Sequence, residues 1–226
     1  MRATSPAAPT PTRLSVVAVL LSFATGAGDA FAFVQLGSVF TANMTGSLIL
    51  SGLTSRPGYG ALVSGAATAL GAFLIAVYLA SKAAPKHPAA RWSQIRAVLL
   101  AVVALDLVVL ILRSVHSTPG TTLRLLMLAA SAAAMGAQTA AAKRSAHGAG
   151  VTTTFVTGTL TSLAQDAADG STRHAGVRVA VVVTLVLGAL AASGAMEIDA
   201  RLGPAVAAVG AAAAILALPR AGSPAP

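Results

Sequence analysis

The sequence predicts an all-α integral membrane protein: six transmembrane helices plus two short re-entrant or broken Thr-rich segments, arranged as two inverted three-helix repeats. Three observations predict it. Of 226 residues, 56% are hydrophobic and only 9% charged, with a mean hydropathy of +0.81. The apolar residues gather into six long runs, and the two halves of the chain resemble each other. A soluble domain of this length needs charge to cover its surface, whereas a bilayer solvates apolar side chains and penalises charged ones.

The net charge of +9 does not point to nucleic acid. Its 15 Lys and Arg are scattered singly between apolar runs, with only two Tyr and one Trp among them. They read as loop anchors that fix topology, so the expected partner is the lipid bilayer and no nucleic acid. The absence of cysteine excludes disulfides, thiol nucleophiles and thiolate metal sites. His87, His116, His147 and His174 fall in predicted loops without paired ligand spacing. No metal or other cofactor is expected. No phosphate-binding glycine loop, nucleophile elbow or zinc-protease helix occurs either.

Taken in order, residues 1–13 are rich in Pro, Ala and Thr and read as a disordered cytoplasmic tail. The run 14–34 follows. A basic start before it has the form of a secretory signal, but cleavage would leave a later repeat of this run without its partner. Its 21 residues give about 31 Å, matching a hydrocarbon core of about 30 Å. Further runs lie at 58–81, 97–112, 123–142, 176–195 and 203–218, of which the third and last are short at 16 residues and must borrow flanking positions. Gly60, Ser64, Gly65, Thr68 and Gly71 in the second run suit close helix packing. Residues 220–226 form a closing cytoplasmic tail.

The repeat emerges when the chain is slid along itself. "VFTANMTGSL" at 39–48 falls on "VTTTFVTGTL" at 151–160, an offset of 112 residues. "GAGDA" at 26–30 falls on "GAQTA" at 136–140, an offset of 110. Residues 14–114 and 121–219 thus form a first and a second transmembrane repeat. The positive-inside rule then decides whether the short segments cross. If neither does, both termini are cytoplasmic and Lys and Arg divide 11 inside to 4 outside; if both do, the division is 8 to 7. Only the first shows a bias, so six spans are expected. Three spans per repeat is an odd number, which inverts the halves relative to each other.

A segment that enters lipid without crossing survives only where protein or water satisfies its backbone. The first Thr-rich segment is expected to dip in from outside and the second from inside, so that Thr41, Asn43, Thr45, Gly46, Thr153, Thr157 and Gly158 line a shared pathway. Hydroxyls at such depth also bond back to helix carbonyls or join helices. Asp29, in "ATGAGDAFAF", has no opposite charge nearby in sequence. A carboxylate within a spanning helix costs about 2.5–3.5 kcal/mol on insertion scales, so it faces a cavity or reaches headgroups or Arg56 at the outer end. The first makes Asp29 a candidate proton carrier. Gln138 and Thr139 stand at the equivalent place in the second half. Asp106 is a secondary candidate, either in transport or paired with Arg113 or Arg124. Asp166, Asp169, Glu197 and Asp199 read as loop charges.

Together, "GAGDAFAFVQLG", "FTANMTGSLILSG" and "VTTTFVTGTLTSLA" resemble the YoaK family, bacterial membrane proteins grouped as a domain of unknown function. The resemblance covers nearly the whole chain and rests on Gly26, Asp29, Ala30, Asn43, Thr45 and Gly46, then on Thr153, Thr157 and Gly158. Ser47 and Thr139 depart from it, since the family typically carries Asn at both. It implies a six-span protein of the bacterial inner membrane with transport suspected, and supplies no substrate. The expected function is a secondary transporter or exporter of a small molecule, proton-coupled through Asp29. The alternative is a non-transporting scaffold or partner subunit, with homo-oligomerisation left open. An enzyme is not expected, because only Asp106 is available as a second catalytic group at depth.

Overall fold

The computed structural model of the protein describes residues 13–83, 90–145, 156–172 and 175–219. These form α1 (Arg13–Gln35), α2 (Met44–Ser51), α3 (Tyr59–Lys82), α4 (Arg91–Val115), α5 (Thr121–Ser145), α6 (Val156–Ala168), α7 (Ala175–Ile198) and α8 (Gly203–Ala217), with a 3-10 turn at Ala200–Leu202 leading into α8. Among the described residues six helices are long and apolar enough to cross a bilayer: α1, α3, α4, α5, α7, and α8 with its leading turn. The two Thr-rich segments hold the remaining helices, α2 with 8 residues and α6 with 13. At about 12 and 20 Å, neither reaches across about 30 Å of hydrocarbon.

The third apolar run, 97–112, lies inside a 25-residue helix. Helical hydrogen bonding does not stop where hydropathy falls, and Trp92 and Ile95 bury their side chains beyond the run's start. The last run is shorter than expected, because α8 gives only about 23 Å from its 15 residues. The 3-10 turn lengthens it, capped by Asp199, whose Oδ1 accepts the Arg201 N–H at 2.8 Å. Two acidic residues read as loop charges lie on helices instead. Asp166 sits on α6 and pairs with Arg178 of α7, and Glu197 lies in the last turn of α7.

α1 packs along α7 and α8, α5 packs along α3 and α4, and α4 meets α8 to join the groups; α2 lies on α3, and α6 on α7. Small residues set the closest approaches. A Cβ at Gly26 would run into the Leu185 carbonyl, one at Gly188 into the Phe23 carbonyl, and one at Gly136 into the Phe73 carbonyl. Without a hydrophobic drive between helices in lipid, such backbone proximity supplies much of the packing. The outward faces carry Leu74, Ile75 and Leu79 on α3 and Val186, Leu187 and Leu190 on α7, all exposed.

The buried faces recur along the chain in register. Buried Trp92, Ile95, Leu99, Val102 and Asp106 of α4 are matched by buried Pro204, Ala207, Ala211 and Ala214 of α8 and by Leu218 just after it, each 112 residues on. Buried Val17, Leu21, Ala24 and Gly26 of α1 are matched by buried Met127, Ser131, Ala134 and Gly136 of α5, each 110 residues on. The crossings correspond too. Gly26 meets Leu185 and Gly136 meets Phe73, and Leu185 lies 112 residues after Phe73.

Candidate functional site

The site begins where α1 stops. Gly37 takes φ +110° and Ser38 φ +60°, and the Ser38 N–H donates to the Phe33 carbonyl at 3.0 Å, a Schellman-type ending that only a residue tolerant of positive φ closes easily. The chain turns back beside α1 and brings residues 41–43 against Asp29. Asp29 Oδ1 accepts the Thr41 N–H at 2.7 Å, the Thr41 hydroxyl at 3.0 Å and the Ala42 N–H at 2.7 Å; Oδ2 accepts the Asn43 N–H at 3.0 Å. The carboxylate thus gathers the backbone donors that precede α2. Asn43 then caps α2 by accepting the Gly46 N–H at 3.1 Å. Ser47 closes the segment on itself, its Oγ accepting the Phe40 N–H at 3.1 Å and donating to the Phe40 carbonyl at 3.0 Å.

Beside this knot lies a cavity of about 990 Å³ between α1, the start of α2, the start of α6, and α7. It is large enough for a small organic molecule. Of the expected site residues, Asp29, Asn43, Thr45, Gly46 and Thr157 line it. Phe33 and Phe40 form an aromatic wall, their rings stacked with centroids 4.9 Å apart. A Cβ at Gly46 would come within 2.9 Å of the Phe40 ring and the Asn43 amide, so a side chain there would displace one of them. Asp29 is the one charged residue of the described lining, which holds no Lys, Arg or His.

Other expected residues lie elsewhere. Thr41 is fully buried behind Asp29. Gln138 is also fully buried, its Nε2 donating to the Leu21 carbonyl at 3.0 Å and the Thr25 hydroxyl at 2.8 Å. Because Thr25 lines the cavity, Gln138 braces the wall from behind. Thr139 bonds back to the Met135 carbonyl at 2.8 Å. Gly158 is half-buried on α6 outside the lining, and Thr153 lies outside the described residues.

Asp106 is buried on α4, and its Oδ2 has no hydrogen-bond partner among the described residues. The expected pairing with Arg113 is absent. That guanidinium donates to the His116 carbonyl at 3.1 Å, the Ser117 carbonyl at 2.8 Å and Gln35 Oε1 at 3.3 Å, because the α4 C-terminus presents closer, unsatisfied oxygens. Arg124 stands beside Gly37.

Sequence reasoning missed Phe33, Phe40, Thr25 and the α7 wall with Leu185 and Ser193. Phe33 had a signal, since it follows Asp29 by one helical turn and shares its face. The α7 residues had none, being about 160 positions away along the chain.

The family model described as a protein of unknown function, DUF1275, matches residues 17–218. The chain is 36% identical over 149 residues to the UPF0700 transmembrane protein YoaK of Bacillus subtilis (strain 168), covering 65% of this chain and 64% of that protein. The match thus spans a little under two thirds of the relative's length. No solved structure matches. The chain is a multi-pass membrane protein, and it belongs to the YoaK family, DUF1275.

Proposed function

We propose that the protein is a secondary transporter or exporter of a small molecule, with two halves inverted in the membrane, both termini on the cytoplasmic side of the bacterial inner membrane, and α2 and α6 re-entering from opposite faces. One observation carries the reading: the starts of both short helices and Asp29 line a single cavity. Broken helices meeting at a cavity between repeats are how many secondary transporters build their sites. The matched buried stripes of α4 and α8, and the matched glycine crossings, support the paired halves. Dry packing of these positions would have favoured a scaffold. Thr41 and Gln138 are packed in that way, but they stand behind the cavity rather than in place of it.

Asp29 supplies a coupling device within this reading. As a carboxylate it accepts four bonds from residues 41–43; protonated, it trades acceptor capacity for a donor and loosens that grip. Proton uptake would then free the start of α2 to move, which links charge to cavity access. The test is substrate-dependent proton flux in liposomes across a panel of small amphipathic molecules. Wild type is expected to show flux and Asp29→Asn to lose it; a silent wild type beside an equally stable variant moves the reading to the scaffold. The inversion has its own check. Ala83→Cys, in the loop after α3, is expected to resist a membrane-impermeant maleimide added from the periplasmic side, and ready labelling there sinks the inverted arrangement.

A further inference from the structure

We infer that the cavity takes an amphipathic molecule with a cationic head, such as an organic ammonium or phosphonium carrying an aromatic or branched aliphatic body. The inference rests on the transport reading, because it names the class of molecule that reading leaves open. Charge is the first ground. The described lining carries one carboxylate and no cation. Asp29 Oδ1 is filled by three donors, while Oδ2 holds one and keeps a lone-pair direction for a ligand.

The start of α2 does not reverse this sign. A helix N-terminus contributes about half a positive charge, so even with the start of α6, which lines the same cavity, the two at most offset one full carboxylate. Of the donors around the start of α2, the N–H groups of residues 41–43 point to Asp29, that of Met44 to the Ala42 carbonyl at 3.0 Å and that of Gly46 to Asn43. An anionic head would therefore meet Asp29 with no compensating Lys, Arg or His in the described lining.

Aromatic character is the second ground. The Phe33 and Phe40 rings stack as one wall of the same cavity, and Phe33 follows Asp29 by one turn of α1. A ring face attracts a cation and an apolar body alike. The third ground is access. Val34, Ile49 and Leu190 line the cavity and are more than half exposed, so its side opens among the lipid-facing residues of α1, α2 and α7. Molecules of this class partition into a bilayer and would arrive from there.

Tetraphenylphosphonium and tetraphenylborate share shape and size and differ in the sign of their charge. Equilibrium binding of each is measured on the protein in nanodiscs, with empty nanodiscs as the blank. Saturable tetraphenylphosphonium binding at one site is expected, with tetraphenylborate at the level of the blank. Asp29→Asn and Phe33→Ala should each weaken the cation by about tenfold. Phe33→Ala leaves every bond of Asp29 in place, so it decides the matter if Asp29→Asn fails to fold. Tetraphenylborate binding as tightly as its partner, or cation binding untouched by Phe33→Ala, overturns the inference. Cation binding without any liposome flux would sink the transport reading alone; flux of carboxylates without cation binding would sink this inference alone.

Discussion

Gly26→Ala is expected to push α1 off α7 and remove much of the protein's stability. The added methyl group points at the Leu185 carbonyl, part of a helix backbone that cannot rotate aside as a flexible side chain would. Overpacking in a filled interior ordinarily costs about 1–3 kcal/mol, and a clash of backbone against methyl belongs at or above the top of that range. Gly188→Ala approaches the Phe23 carbonyl from the other side of the same crossing and should behave alike. Gly71→Ala is the control. It meets nothing within 4 Å, so the only effect is better helix propensity, about 1 kcal/mol in favour. Thermal unfolding of the three variants in one detergent reads the order directly. Equal midpoints for Gly26→Ala and Gly71→Ala would mean that α1 and α7 do not approach as described.

Asp29→Ala is expected to do comparable damage through hydrogen bonds rather than volume. It leaves the N–H groups of Thr41, Ala42 and Asn43 without their acceptor, at about 1–3 kcal/mol for each donor that water does not reach. Thr41 and Ala42 are buried and should bear most of that loss, whereas Asn43 is exposed and can turn to water. Asp29→Asn keeps one oxygen for Thr41 and Ala42 and forfeits only the bond to Asn43, so it should be the milder change. Hydrogen exchange at residues 41–43 separates the two. Faster exchange there in Asp29→Ala, with α3 and α5 unchanged, is the expected pattern; unaltered protection would show that the segment is held by Ser47 and Asn43 alone.

The distinction between these two glycine and carboxylate roles bears on how a membrane sequence is read. Gly26 and Asp29 sit three residues apart in "GAGDA", and both invite attention as punctuation in an apolar run. One makes room for a partner helix, and the other ties down a loop.

Much of the fold was legible because the bilayer imposes a length and a polarity on each spanning segment. The six runs and the shortness of the Thr-rich segments follow from that constraint. The turn at Gly37 and the cap at Asn43 went unread, although positive φ and N-cap bonding are properties of a few adjacent residues. The likeness of "GAGDA" to "GAQTA" drew attention to Gln138, but not to its place behind the wall of Asp29's cavity.

Hydropathy along the chain was enough to find the six spanning segments, to bound five of them to within three residues, and to place a carboxylate within the first. What that carboxylate holds, which glycines bear backbone contacts, and that Asn43 and Thr157 share a cavity with Leu185 and Ser193 emerge only once the helices are packed. The reason is physical. Hydropathy depends on composition along one dimension, whereas a hydrogen bond or a close approach depends on the rotation and register of helices that are joined only through distant parts of the chain.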